Sequence, residues 1–150
     1  MTMNAQRGAV LIVSLVFLVL LTLLATSSMQ NATLQEKMTG SLALRGASFQ
    51  MAESVLRTAE ARLRIPGYSQ PQCATPNNCL PPPEALTLVA GGSAGASGVT
   101  WMASEGGFYG IQYLGETLDP AGGGIPEQSY LLYRVTAIGI RGVSRTVLES

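Results

Sequence analysis

No charged residue occurs between Arg7 and Glu36. Inside that gap, Ala9 to Ala25 reads AVLIVSLVFLVLLTLLA, apolar except for Ser14 and Thr22 and free of proline. A helix needs about 20 mostly apolar residues to cross a hydrocarbon core, and about 17 at the short end. The run meets that length, with Thr26, Ser27 and Ser28 as tolerable extensions. Lipid supplies no hydrogen-bond partners, so a lone spanning segment satisfies its own backbone and is a helix.

The residues around this run admit three readings. A secretory signal peptide has a positive start, an apolar stretch of about 7–15 residues and a small-x-small cleavage site, and Ala25-Thr26-Ser27 would serve as that site. The second is a simple membrane anchor. The third is a leader, residues 1–8, clipped between Gly8 and Ala9, so that the apolar run stays on the mature protein. The residues after the run favour the third. From Met29 to Arg64 there is no proline, and the helical pattern continues without a breaker until Pro66-Gly67, with Ile65 pushed toward extended geometry by the proline after it. Leu44, Met51, Val55, Ala59 and Leu63 fall near the spacings of one helical face. Glu53–Arg57 and Glu60–Arg64 are i,i+4 pairs in the favourable orientation, each worth about 0.3–0.5 kcal/mol. A continuous helix from Ala9 to Arg64 would be roughly 85 Å long. The expected parts are a leader over 1–8, a membrane-spanning helix over 9–28, an amphipathic helix over 29–64 and a head over 65–150.

Composition narrows the function. Charged residues are 12% of the 150, against about 25% in a soluble domain. Net charge is zero and the pI is near 6.2, which argues against a nucleic-acid partner, since that needs a concentrated basic surface. Histidine is absent, which removes the commonest general base and metal ligand and any Ser-His or Cys-His arrangement. No catalytic residue, no metal site and no cofactor is expected. Glu116, Asp119 and Glu127 flank one loop and would supply only part of a calcium site. Gly122-Gly123-Gly124 lacks the strand–glycine–helix context and the lysine of a phosphate loop.

Cys73 and Cys79 are separated by five residues amid Pro71, Pro76, Pro81, Pro82 and Pro83. Two cysteines cannot make a four-ligand zinc site, and the spacing is not that of a redox C-x-x-C motif. If this region lies outside the cytoplasm, a disulfide is the natural reading. Beyond it, Leu86–Ala90 and Val99–Ala103 are short apolar or β-prone runs separated by the loop GGSAGASG. Phe108–Leu114 alternates, with Tyr109, Ile111 and Tyr113 on one face. Leu131, Tyr133, Val135 and Ala137 alternate with Arg134 and Thr136, the period of a half-buried strand. Asp119–Pro126 reads as a second loop between strands. Gly139–Gly142 reads as a turn into a last strand, Val143–Leu148, pairing back as a hairpin. The expected fold is α+β, a long N-terminal helix packed on an antiparallel sheet of about three to five strands.

Two stretches carry a resemblance. SSMQNATLQEKMTG (Ser27–Gly40) followed by ASFQMAESVLRTAEARL (Ala47–Leu63) resembles the N-terminal half of PilX-type minor pilins, and RVTAIGIRGVSRTVLES (Arg134–Ser150) is similar to their C-terminal strands. The start, a short leader ending Arg7-Gly8 before the apolar run, resembles a type IV pilin N-terminus. The resemblance implies cleavage by a prepilin peptidase after Gly8 and methylation of Ala9. Pilins usually carry glutamate at the fifth mature position, where this chain has Val13; PilX-type members tend to lack it as well. It further implies a protein first held in the inner membrane with its head in the periplasm, then extracted into a surface pilus. Its implied partners are other minor pilins, the major pilin, a tip adhesin, the inner-membrane assembly platform and, before assembly, membrane lipid. The implied role is initiation or assembly of pili that support motility and adhesion. A type II secretion pseudopilin and a non-polymerising anchor with a binding domain are the alternatives. The stretch from Pro66 to Ser104 matches nothing in the family pattern.

Overall fold

The computed structural model describes residues 3–93, 95–120 and 123–150, with side chains from Ala9 onward. Helix α1 spans Met3–Leu63. Two single-turn 3-10 helices follow, Pro76–Cys79 and Pro83–Leu86. Five strands complete the chain: β1 Gly92–Ser93, β2 Thr100–Ser104, β3 Gly107–Thr117, β4 Tyr130–Arg141 and β5 Ser144–Glu149. They form one antiparallel sheet in the order β1-β2-β3-β4-β5. The expected α+β, pilin-like architecture is the observed one. The chain divides into two units, 1–42 and 43–150.

In the first unit α1 runs through the Gly8-Ala9 junction and through Ala25-Thr26-Ser27 without interruption. Its large apolar side chains stay exposed, as do Met29, Leu34, Met38 and Leu42.

In the second unit the helix presents small residues to the sheet. Ser48, Ala52, Val55 and Ala59 are fully buried, at successive spacings of four, three and four, which is one face of a helix. Of these, Val55 and Ala59 oppose the alternating residues Tyr109 and Ile111 of β3 and Val135 and Ala137 of β4. Leu56, Leu63, Tyr68, Met102 and Tyr133 pack around this cluster. The tightest point is Gly139, where an added Cβ would lie 2.2 Å from the Ser48 carbonyl oxygen and 2.3 Å from the Ala52 nitrogen. Only glycine admits so close an approach. The Ser48 hydroxyl lies 3.0 Å from the Arg45 carbonyl oxygen, 3.1 Å from Ser144 Oγ and 2.8 Å from Thr146 Oγ1, which ties the helix to β5.

The last helical turn tightens, with Arg64 and Ile65 donating to the Ala61 and Arg62 carbonyls. Gly67, at φ 83°, then redirects the chain, as the Pro66-Gly67 pair predicts.

Four expectations change. Leu44, assigned to the buried face, is 38% exposed, and Ser48 and Ala52 occupy that face instead, because the close approach leaves room only for small side chains. The Glu53–Arg57 and Glu60–Arg64 pairs do not close. Among the described residues the one carboxylate–guanidinium approach within 4.0 Å is Arg134 Nε to Glu149 Oε2. Exposed helical pairs gain too little over hydration to hold one geometry. Leu86–Ala90 forms no strand; the prolines before it set a 3-10 turn, and Leu86 and Val89 are exposed. Gly139-Ile140-Arg141 belongs to β4, and the turn is the two-residue loop Gly142-Val143. Gly142 there has φ 57°, as a tight hairpin requires. The chain end extends this pairing, Ser150 and Val135 exchanging backbone hydrogen bonds of 3.0 and 2.8 Å.

The sheet's other face is also covered. Phe108, Ile138, Ile140 and Val147 pack there with Trp101, Val99, Ala85 and Leu88, so the segment between the cysteines and β2 forms a second, irregular layer. Arg145 holds it down through Nη1 to the Ala85 carbonyl at 3.1 Å and Nη2 to the Leu88 carbonyl at 2.5 Å.

Gly139→Ala places a methyl against helix backbone, and unfolding of the full chain by urea in detergent should show a loss of about 1–3 kcal/mol. Gly46→Ala meets nothing within 4 Å and should raise stability by about 0.5–1 kcal/mol. A neutral result for Gly139→Ala would refute the close approach.

Candidate functional site

Two features have the chemistry of a working surface: the apolar half of α1 and the disulfide loop.

Every large apolar side chain from Val10 to Leu24 is 45–68% exposed. Soluble monomers rarely leave so large a contiguous apolar surface bare. The most apolar 18-residue window of the helix has a mean hydropathy of 2.9, so its length and composition would let it cross a membrane. Its few polar side chains are satisfied internally. Ser14, Thr22 and Thr26 donate to the carbonyls of Leu11, Val19 and Leu23 at 2.8–2.9 Å. No side-chain polar group in this stretch therefore needs water, the condition for burying a helix in lipid or among other apolar helices. Ala9, Val13, Phe17 and Leu21 recur every fourth residue and, with Val10, Ser14 and Leu18, line a shallow apolar groove along one face. Val13 is thus one of a row of hydrocarbon side chains. Gly8 and Ala9 both lie within the helix.

Cys73 and Cys79 form a disulfide with a Cα–Cα distance of 5.4 Å. Inside the loop, Thr75 Oγ1 accepts from the Asn78 N–H at 3.3 Å, capping the 3-10 turn that Pro76 begins. The loop is anchored on β3. The Cys73 N–H donates to the Tyr113 carbonyl at 3.0 Å, beside an isolated parallel bridge between Gln72 and Tyr113. Gln70 Nε2 donates to the Ile111 carbonyl at 2.7 Å and Gln72 Nε2 to the Leu114 carbonyl at 3.0 Å. From the sheet, Gln112 Nε2 reaches the carbonyls of Asn78 and Leu80 at 2.6 and 3.1 Å, and Arg134 Nη1 donates to the Cys79 carbonyl. β3 is itself irregular here, with a bulge between Tyr113 and Gly115.

The cysteines are legible in the sequence, whereas Gln112 and Arg145 are not. Gln112 reads as solvent-facing by its alternation with Ile111 and Tyr113, Arg145 sits in the expected last strand with no face assigned, and no local signal marks the carbonyl groups they reach. Of the residues flanking the second loop, Glu116 accepts from Ser129 Oγ at 2.6 Å. Among the described residues no group of three or more acidic, cysteine or histidine side chains is placed to hold a metal ion. Ala121 and Gly122, part of the expected loop and of the glycine triplet, lie outside the described residues.

A long N-terminal helix with a bare apolar first half, its later turns packed on a five-stranded antiparallel sheet, is the architecture of a type IV pilin. The PilX N-terminal family model matches residues 7–57, about a third of the chain, and this match supports a PilX-family type IV pilin. The match takes in the apolar run and the buried helical face as far as Val55. No curated protein and no solved structure matches the chain.

Two tyrosines beside the loop give a pH test. Burial raises the Tyr68 phenol above 10.0, Tyr133 adds to this, and Arg62 opposes it. Partial desolvation, then Glu116 and Tyr133, raise Tyr113 as well. A raised phenol keeps its proton longer in the folded protein, so its contribution is fully present below pH 10 and is lost as pH rises through the folded value. Stability should fall above pH 10, and Tyr68→Phe should flatten that fall in urea titrations run at pH 9 and pH 11.

Proposed function

We propose that this chain is a minor pilin that takes part in initiating or assembling type IV pili, within a tip or priming complex, and so supports motility and adhesion. The observation that carries the proposal is the family match over 7–57, coinciding with an uninterrupted helix whose apolar side chains are bare. On this reading residues 1–8 are a leader, prepilin peptidase cleaves between Gly8 and Ala9, and Ala9 is methylated. The run over 9–28 then holds the subunit in the inner membrane with residues 65–150 in the periplasm. The assembly platform afterwards moves the helix from lipid to the filament.

Val13 gives this subunit a distinct place. A carboxylate at that position would be costly in lipid unless paired, and in pilins it neutralises the N-terminal amine of a neighbour. A chain with valine there cannot make that pairing. This fits a subunit that starts a filament or sits near its end, among other minor pilins, the major pilin and a tip adhesin. A pseudopilin of a type II secretion system would share the fold, and co-purification with secretion proteins in place of pilus proteins would favour it. No catalytic role is proposed.

The full chain expressed with a prepilin peptidase and purified from membranes should begin at N-methylated alanine, Ala9, by intact mass and N-terminal sequencing. A start at Ser28, or an intact Met1, would overturn the proposal.

A further inference from the structure

A cleft of about 520 Å³ lies between the segment Tyr68–Ala74 and the stretch Ser97–Met102, with Ile111, Gln112 and Tyr113 of β3 also in its wall. None of its lining residues is charged. Its polar side chains are chiefly the amides of Gln70, Gln72, Asn78 and Gln112, and the rings of Tyr68 and Tyr113 stand beside them. The volume falls within the range of small-molecule sites, about 300–1,000 Å³.

The lining selects a ligand class. A charged ligand would leave water and find no counter-charge, which is costly. A purely apolar ligand would strip water from the amide groups that the protein leaves unpaired and return no hydrogen bonds. The chemistry that remains is neutral, rich in hydroxyl donors and acceptors, and apolar on the faces of its rings.

The amides are also held in place before any ligand arrives. Gln70 is fixed at both ends, Nε2 to the Ile111 carbonyl and Oε1 accepting from Tyr68 Oη at 2.8 Å. Gln72 and Gln112 are each fixed through Nε2, and the disulfide closes the loop that carries Asn78. Pre-organised groups bind without a further ordering cost.

We propose that this cleft binds a neutral saccharide of one or two rings, free or at the end of a glycan. The site adds a recognition function to the head and does not depend on how the helix assembles.

The test uses the full chain in a phosphocholine detergent, since sugar-headed detergents would compete. The chain is applied to arrayed neutral, sialylated and sulfated glycans, then titrated with lactose, cellobiose and diacetylchitobiose by calorimetry. Neutral glycans should be retained in preference to acidic ones. Binding should weaken at least tenfold in the double variant Asn78→Ala, Thr100→Ala, which leaves the Asn78 carbonyl and the disulfide intact, with an unchanged thermal midpoint. Retention on the array together with binding of a free disaccharide indicates a free-sugar site, and retention on the array alone indicates a glycan terminus; both support the proposal. Three results overturn it: no neutral glycan or free sugar binds, acidic glycans are preferred, or the folded double variant binds as tightly as the parent.

Discussion

The contact of Ser48 and Ala52 with Gly139 is backbone against backbone, and the remainder of the head is arranged around it. With no side chain at residue 139, β4 approaches the helix closely enough for the Ser48 hydroxyl to reach Ser144 and Thr146 on β5. Register follows from this contact. Side chains alternate along a strand, so a slip of one residue would bring Ile138 or Ile140 against the helix in place of glycine and turn Val135 and Ala137 away from it. Neither isoleucine could enter a gap that a single Cβ already overfills. The antiparallel partners Tyr109 and Ile111 are then placed opposite Val55 and Ala59 by pairing alone.

The reverse face shows how a small sheet is completed when one helix covers only one side. Trp101, Ile138 and Val99 would meet water were it not for the irregular layer that brings Ala85 and Leu88 over them. That layer has little regular structure, so its backbone groups must find partners elsewhere. Strand side chains supply them: Arg145 for the carbonyls of Ala85 and Leu88, Gln112 for those of Asn78 and Leu80, Arg134 for that of Cys79. Strand side chains on one face thus do for the loop what a neighbouring strand does in a sheet. The disulfide limits how far the proline-rich chain can wander from these donors by closing a short loop.

The difference between the two faces decides what could be read from the sequence. The apolar run, the end of the helix at Pro66-Gly67 and the alternation in Phe108–Leu114 and Leu131–Ala137 were legible because each is a local pattern with one physical solution. The buried face of the helix was legible only in part. Val55 and Ala59 are apolar and at the right spacing, but Ser48 is polar and Ala52 small, and their burial is set by a glycine some 90 residues away. Gly139 itself looked like a turn because glycine serves both tight turns and close approaches, and only the partner decides which. The covering layer had no period to read, since its contacts are side chain to carbonyl. Gln112 is the clearest case. An amide between Ile111 and Tyr113 reads as the wet side of a strand, and its burial depends wholly on where the loop returns.

The bare half of α1 obeys the same rule of polar satisfaction. An apolar segment whose backbone and hydroxyls are satisfied internally has no strong preference between lipid tails and the apolar faces of other helices, because hydrocarbon chains and leucine side chains are equally apolar. Transfer between the two then costs little in solvation, and the balance is set by packing and by any charge present. In this helix no charged side chain lies between Arg7 and Glu36, and on the proposed reading the charge near its start is the methylated amine of Ala9. A glutamate at position 13 would have made one environment, the one offering a cation, strongly preferred over the other. Valine leaves the choice to the shape of the groove that Ala9, Val13, Phe17 and Leu21 form. On the proposed reading, this subunit's place in a filament is therefore set by how that groove packs against its neighbours, with no ion pair at position 13 to fix it.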